Sequence, residues 1–170
     1  WVKKHFNETS YSIQYAGSTG FISLGIKKVT TNKKFEIGIQ TGKIPSFIGQ
    51  VQRTVVGKFL YAPFQLNHKS FIFQPLTSGL FFARHFGENH GNWPTKYPKG
   101  YYWWNRSMRS HVFIGSQISL TTKSNHISRM AIYFEANTND LYLYSYIPNR
   151  KSMSLYDIIF FGTGLKIYLK

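Results

Sequence analysis

The sequence predicts an all-β fold, a single antiparallel up-and-down transmembrane β-barrel of about eight strands. Apolar residues alternate with polar or small residues in one segment after another. No window approaches the roughly 18–20 continuous apolar residues of a membrane-spanning helix. Aromatic residues make up 18% of the chain. Such residues favour strands, and in barrels they gather at the membrane–water boundaries.

Length and composition are compatible with a single barrel domain. The 170 residues form one domain, 1–170, with a polar lead-in at 1–10. Mean hydropathy is -0.27, which a membrane barrel tolerates because its apolar surface lies on every second residue. Cysteine is absent, so no disulfide framework or thiolate site is expected. The first residue is Trp1, so we expect that a targeting segment was removed or that part of the N-terminus is missing.

The clearest strand is Met108–Thr122. One of its faces carries Val112, Ile114, Ser116, Ile118 and Leu120. Similar alternation predicts seven further strands, Tyr11–Ala16, Phe21–Val29, Phe35–Gly42, Thr54–Phe64, Phe71–Phe82, Ile127–Ile147 and Tyr156–Lys170. Pro63 and Pro75 interrupt two of these segments. Because proline cannot donate to the ladder, a bulge or a local break is expected at each.

The connections between the predicted strands alternate in length. The longer ones, Ile44–Gln50, 87–106 and Pro148–Ser152, fall at one end of the barrel. The tight turns, Thr31–Lys33, Asn67–Lys69 and Lys123–His126, fall at the other. Long external loops and short periplasmic turns are the usual asymmetry of outer-membrane barrels. Segment 87–106 is therefore predicted to be a long extracellular loop.

A soluble β-barrel that binds an anionic ligand satisfies the same alternation with the two faces exchanged. Two observations favour the membrane barrel. Glycines recur on the polar face, which suits a narrow lumen (Gly25, Gly38, Gly115, Gly162 and Gly164). Tyrosine and tryptophan also cluster near the strand ends.

Three stretches carry the barrel pattern most fully: YSIQYAGSTGFISLGI, YPKGYYWW…SHVFIGSQI and IYFEANTNDLYLYSYIPN…LYDIIFFGTGLKIYL. Together they span most of the chain and resemble small outer-membrane β-barrel proteins of the Bacteroidetes type. The resemblance implies a multi-pass barrel in the outer membrane of a Gram-negative bacterium.

Charge is the second distinctive feature, with 21 Lys+Arg against 6 Asp+Glu and a net charge of +15. The basic residues concentrate in turns and loops at both ends rather than on one groove-shaped face, which disfavours a nucleic-acid partner. Arg84 flanks the long loop. The predicted lipid- or partner-binding residues are Lys96, Lys99, Tyr101, Tyr102, Trp103, Trp104, Arg106, Arg109, Arg150 and Lys151. Lipopolysaccharide phosphates, the bilayer surface or a partner protein would each suit this basic and aromatic set.

A lumenal polar network is predicted from inward-facing charges: Glu36, Lys58, Arg129, Glu135, Asp157 and Lys166. These side chains are expected to pair, because an unpaired buried charge costs several kcal/mol. A narrow eight-stranded interior is filled mostly by side chains, so a pore is not expected.

Catalysis by a lipid A deacylase or acyltransferase remains an alternative, which needs a Ser/His/acid set. The candidate sets are His111 with Ser110 and Glu135, and His85 and His90 with Ser107. Ser110 and His111 are strand neighbours that point to opposite faces. His85, Glu88 and His90 form only a weak metal pattern. We therefore expect a structural or accessory-subunit role in a membrane assembly, with no catalytic residue, metal or cofactor.

Overall fold

A computed structural model of the chain describes residues 6–47, 52–86 and 107–170. The strands within these residues are β1 (Phe6–Ala16), β2 (Ile22–Thr30), β3 (Phe35–Ile44), β4 (Gln52–Tyr61), β5 (Leu66–His68), β6 (Phe71–Phe86), β7 (Met108–Thr121), β8 (Ile127–Asn139) and β9 (Phe160–Leu169). Helix α1 (Asp140–Asn149) and a 3-10 helix (Leu155–Asp157) lie between β8 and β9.

Eight long antiparallel strands close into a barrel. Their order is β4-β3-β2-β1-β9-β8-β7-β6, and β4 also pairs with β6 from Arg53↔Phe86 to Tyr61↔Ser78. The short β5 pairs only with the start of β6. The predicted all-β barrel of eight strands is therefore confirmed.

The barrel has a polar inner face and an apolar outer face. Outward residues such as Ile39 and Ile132 are 62% and 58% exposed, whereas inward Gln40 and Glu135 are each 2% exposed. Apolar side chains do line part of the interior, in a small cluster (Val56, Leu60, Ala62, Phe81, Ala83 and Phe113). The reversed arrangement, with the apolar faces inward as a soluble barrel needs, is not the one that the chain adopts.

The two prolines interrupt the strands as expected. β4 ends at Tyr61, before Pro63. The pairing of β6 with β7 shifts register between Gln74 and Thr77, which places an irregularity at Pro75. Strand β6 then continues to Phe86, beyond the predicted end at Phe82.

The predicted strand Ile127–Ile147 is wrong beyond Asn139, because helix α1 begins at Asp140. The Asn139 side chain accepts a hydrogen bond from the backbone N–H of Tyr142 (2.9 Å), and Asp140 lies in the first turn. This is an N-cap followed by an acid, both favourable at a helix start. The alternating tyrosines after Asp140 therefore lie on a helix, not in a strand-borne aromatic band. No described helix is long and apolar enough to cross a membrane.

The predicted final strand Tyr156–Lys170 begins too early, because β9 starts at Phe160. Ser154 and Asp157 form a capping box around the 3-10 helix, and the Asp157 carboxylate accepts from the Ser154 backbone N–H (2.8 Å). Asp157 is exposed there. It is not part of the predicted lumenal network, because it lies in the 3-10 helix ahead of β9, where its carboxylate caps that helix and stays exposed.

The inward glycines allow close contact inside the barrel, which can be tested at Gly38. A Cβ there would meet the Ile26 carbonyl oxygen and the Lys27 Cα. We expect Gly38→Ala to lower the free energy of unfolding by about 1–3 kcal/mol through overpacking. At outward-facing Gly57, an added Cβ would have nothing within 4 Å. Urea unfolding in detergent should therefore show no loss of stability for Gly57→Ala, and equal losses in both variants would contradict this account.

Candidate functional site

The interior of the barrel contains a set of buried charged side chains. Its buried charged side chains, leaving histidine aside, are Lys27, Glu36, Lys58, Arg129, Glu135 and Lys166. Strand alternation places them, since each occupies a position whose neighbours along the strand face outward. Buried charges are tolerated when they are paired and hydrogen-bonded.

Glu135 of β8 anchors the first ion pair. Its two carboxylate oxygens accept from Lys58 Nζ of β4 at 2.8 Å and 2.5 Å. The Lys58 ammonium also lies 4.4 Å from the centroid of the Phe113 ring and 5.4 Å from that of Phe81. The pair is thus held between aromatic walls and shielded from water, where its attraction is screened less than on a surface.

Gln14 of β1 links this ion pair to a polar cluster on the neighbouring walls. Its amide nitrogen donates to Glu135 (2.9 Å), and its amide oxygen accepts from the Tyr133 hydroxyl (2.9 Å) and from Gln40 Nε2 (3.1 Å). Gln40 also donates to Ser23 Oγ (2.6 Å). Most hydrogen-bonding groups around Glu135 are therefore satisfied within the barrel.

Glu36 of β3 anchors the second ion pair. Its carboxylate accepts from Lys166 Nζ of β9 (2.8 Å) and from the Tyr168 hydroxyl (2.7 Å). Gln117 Nε2 donates to the same hydroxyl (2.9 Å). Charge-assisted bonds of this kind are the strong ones. This arrangement ties β3, β7 and β9 together through side chains alone.

Arg129 lies near the end of the barrel that carries the tight turns. Its guanidinium carbon lies 3.8 Å from the centroid of the Tyr168 ring, and Nη2 donates to Glu8 (3.3 Å). The fourth cation, Lys27, donates to Ser12 Oγ (3.3 Å) and lies 5.8 Å from the Tyr133 ring centroid. Within the described residues Lys27 has no ion-pair partner.

The ion pairs of Glu135 and Glu36 both cross the lumen. β4 and β8 are not neighbours in the barrel, and neither are β3 and β9. Lys58–Glu135 and Lys166–Glu36 therefore connect opposite walls through the space that an open channel would occupy. A narrow eight-stranded barrel filled in this way is expected to be closed.

The structure brings together five of the six residues predicted for the lumenal network; Asp157 lies outside it, as described above. Sequence reasoning missed Lys27, although it shares a face with Ser23 and Gly25 in the same predicted strand. It also missed Gln14, Tyr133 and Tyr168. The two tyrosines share strand parity with residues that were assigned inward, Tyr133 with Glu135 and Tyr168 with Lys166, so this parity was the available signal.

A pocket of about 590 Å³ opens at the loop end of the barrel. Thr54, His85 and His111 are among the residues that line it. Thr54 Oγ1 lies 3.3 Å from His85 Nδ1, and the His111 ring stacks on Phe81 with centroids 4.3 Å apart. His111 Nδ1 lies 3.3 Å from Asn137 Oδ1, an amide oxygen rather than a carboxylate.

The candidate catalytic set of Ser110, His111 and Glu135 is not assembled. Ser110 is exposed on the outer face, His111 is buried on the inner face, and Glu135 is engaged by Lys58 and Gln14. In the second set, the His85 backbone N–H donates to the Ser107 carbonyl (2.7 Å). His90 and Glu88 lie outside the described residues. No group of three potential metal ligands occurs among the residues that are described.

Most of the predicted lipid- or partner-binding residues lie outside the described residues (Lys96, Lys99, Tyr101, Tyr102, Trp103, Trp104 and Arg106). The other three lie at the loop end of the barrel. Arg109 is half-buried near the start of β7, Arg150 caps the C-terminus of α1, and Lys151 follows it, exposed.

The outer face carries its own small set of charges. On the described strands, outward-facing charged side chains are limited to Lys28, Lys43, Arg53 and Arg84. All four are cations, and none of the acidic residues on these strands faces outward. Of the four, sequence reasoning singled out Arg84 alone, as a residue flanking the long loop.

A comparison with protein-family models, curated proteins and solved structures finds no match to this chain. Functional inference therefore rests on the barrel itself.

Proposed function

We propose that this chain is an integral β-barrel protein of the outer membrane of a Gram-negative bacterium, with a closed interior and a structural or accessory-subunit role in a membrane assembly. The observation that carries the proposal is the distribution of polar and apolar side chains, which is the reverse of that in a soluble protein. Its ionic and hydrogen-bonded groups lie inside, while large apolar side chains cover its outer face. A bilayer supplies the apolar surroundings that this outer face needs.

The apolar outer face extends around the barrel. Exposed Ile, Leu, Val, Phe, Tyr or Met side chains occur on every one of the eight long strands. Soluble monomers rarely expose contiguous apolar patches larger than about 300–600 Å². Each Å² left in water forgoes roughly 25 cal/mol of hydrophobic stabilisation. A belt around the whole circumference thus favours a lipid environment over an aqueous one.

The interior supports a non-catalytic role. Glu36 and Glu135, the fully buried acids of the described barrel, are both engaged by lysine side chains. A carboxylate held in this way neutralises a buried lysine and is not free to activate a nucleophile. The basic residues of the loop end, including Arg109, Arg150 and Lys151, suit contact with lipopolysaccharide or with another outer-membrane protein. No nucleic-acid partner is part of the proposal.

Refolding into lipid vesicles tests the proposed membrane location. The chain, diluted from urea into phosphatidylcholine vesicles, should float with them and resist washing with alkaline carbonate. The folded barrel should also migrate differently from the boiled chain on a detergent gel. A folded monomer that stays in solution without detergent or lipid would instead identify a soluble barrel.

A further inference from the structure

We propose that Lys43, Arg53 and Arg84 form a site on the outer face of the barrel that binds the phosphate of an anionic lipid headgroup. The acyl chains of that lipid lie along the adjoining apolar surface. This inference rests on the proposed function, because it requires the outer face to meet lipid. It adds a specific lipid site to the general membrane location.

The three cations lie side by side on three neighbouring strands. Lys43 of β3 is directly paired with Arg53 of β4. Arg53 is in turn paired with Phe86 of β6, and Arg84 lies two residues from Phe86 on the same outer face. Directly opposed side chains have Cβ atoms about 5 Å apart, and diagonal neighbours about 7–8 Å. All three basic groups can therefore reach one phosphate.

Such a cluster needs a counter-charge. Like charges directly opposite each other destabilise a strand pair. No acidic side chain on the described strands faces outward to neutralise them. Arginine guanidinium groups bind phosphate with paired hydrogen bonds, and a lysine ammonium adds a third charge-assisted contact. Among the described residues this cluster lacks an acidic partner, and an anionic group from outside the barrel would supply it.

The surroundings of the cluster indicate that the anion belongs to a lipid. A shallow groove of about 610 Å³ includes Lys43 and Arg53 and is otherwise lined largely by apolar side chains, among them Ile22, Leu24 and Phe47. The Arg84 guanidinium carbon lies 5.0 Å from the Phe86 ring centroid, which orients the group on an aromatic surface. Going towards the barrel middle, the outer positions that follow are mainly apolar. The site thus joins cations at the loop end to the apolar belt.

Lipid retention measured by native mass spectrometry tests this site. The refolded barrel in neutral detergent is mixed with bisphosphorylated lipid A, phosphatidylglycerol or phosphatidylcholine in separate samples. The test variant is Lys43→Gln/Arg53→Gln/Arg84→Gln. The matched control, Lys34→Gln/Lys69→Gln/Lys123→Gln, removes the same charge from exposed residues at the turn end.

The wild type and the control variant should retain an anionic lipid, and the test variant should bind it at least about tenfold more weakly, since loss of a single charge-assisted bond has about that effect. Binding of phosphatidylcholine should be unaffected. Preference for lipid A or for phosphatidylglycerol identifies which membrane phosphate is the natural source. Both results support the site.

An equal loss of binding in the test and control variants would overturn the proposal, as it would show only an effect of net charge. Retention of phosphatidylcholine equal to that of the anionic lipids would overturn it as well. Gel migration of the unboiled samples separates these results from misfolding, and the double variant Lys43→Gln/Arg53→Gln provides a milder substitution. Failure of the barrel to enter vesicles would contradict the proposed membrane location, and is thereby distinguished from failure of this site.

Discussion

Replacement of Glu135 by leucine is expected to lower the free energy of unfolding by about 3–5 kcal/mol, because it leaves the Lys58 ammonium buried without its carboxylate. Lys58 is 2% exposed and cannot reach water without rearrangement of the interior. The same substitution removes the acceptor of Gln14 Nε2. Urea unfolding of the barrel in detergent micelles, followed by far-UV circular dichroism, measures the loss.

The double variant Lys58→Met/Glu135→Leu should recover most of this stability. Methionine fills the space between Phe81 and Phe113 without a charge, and a buried ion pair replaced by apolar side chains is often neutral or stabilising. Asp157→Asn serves as the control, since it removes an acid that lies outside the interior. A Glu135→Leu variant no less stable than Asp157→Asn would contradict the structural role of the cross-barrel pair.

Replacement of Ile39 by arginine is expected to oppose membrane insertion by about 2–4 kcal/mol, the cost of an outward-facing arginine at the bilayer midplane. Ile39 lies in the middle of β3, paired with Ile26 and Gly57 on the neighbouring strands. Its side chain faces outward, so the substitution leaves the interior unchanged. The folded fraction in phosphatidylcholine vesicles across a urea series gives the difference in free energy.

Leu155→Arg is the matched control for this prediction. Leu155 is also an exposed apolar residue, 53% exposed, but it lies in the 3-10 helix beyond the barrel strands. Surface substitutions of this kind usually change stability by less than about 0.5 kcal/mol. An Ile39→Arg barrel that folds into vesicles as readily as Leu155→Arg would show that Ile39 does not face the bilayer core.

Strand periodicity predicted the barrel because each strand repeats the same two-residue pattern. It placed Glu36, Lys58, Arg129, Glu135 and Lys166 inward, since the side-chain period of a strand is two. Periodicity failed at Asp140, where alternating tyrosines continue the pattern of β8. There Asn139 caps the start of a helix. None of the α1 residues is buried, so no packing of one face against the barrel favours a strand instead. Local capping chemistry was a better guide at that point than alternation.

The partners of the interior charges could not be predicted from the sequence. Glu135 is 77 residues from Lys58, and Glu36 is 130 residues from Lys166. Which of them meet depends on the closure of β4 on β6 and on the stagger of the strands around the barrel. The outer cluster of Lys43, Arg53 and Arg84 depends on the same closure. Parity places each residue on a face, but only the closed barrel places them together.

Spin labels at single cysteines test most directly whether the outer face meets lipid. The chain has no cysteine, so Ile39→Cys, Ile132→Cys and Tyr156→Cys can each be labelled at one site. In lipid nanodiscs, labels at 39 and 132 should collide readily with oxygen and poorly with a water-soluble nickel chelate. The label at 156, where Tyr156 is 84% exposed in the 3-10 helix, should show the reverse. Equal access of the nickel chelate to all three sites would contradict a membrane-spanning barrel.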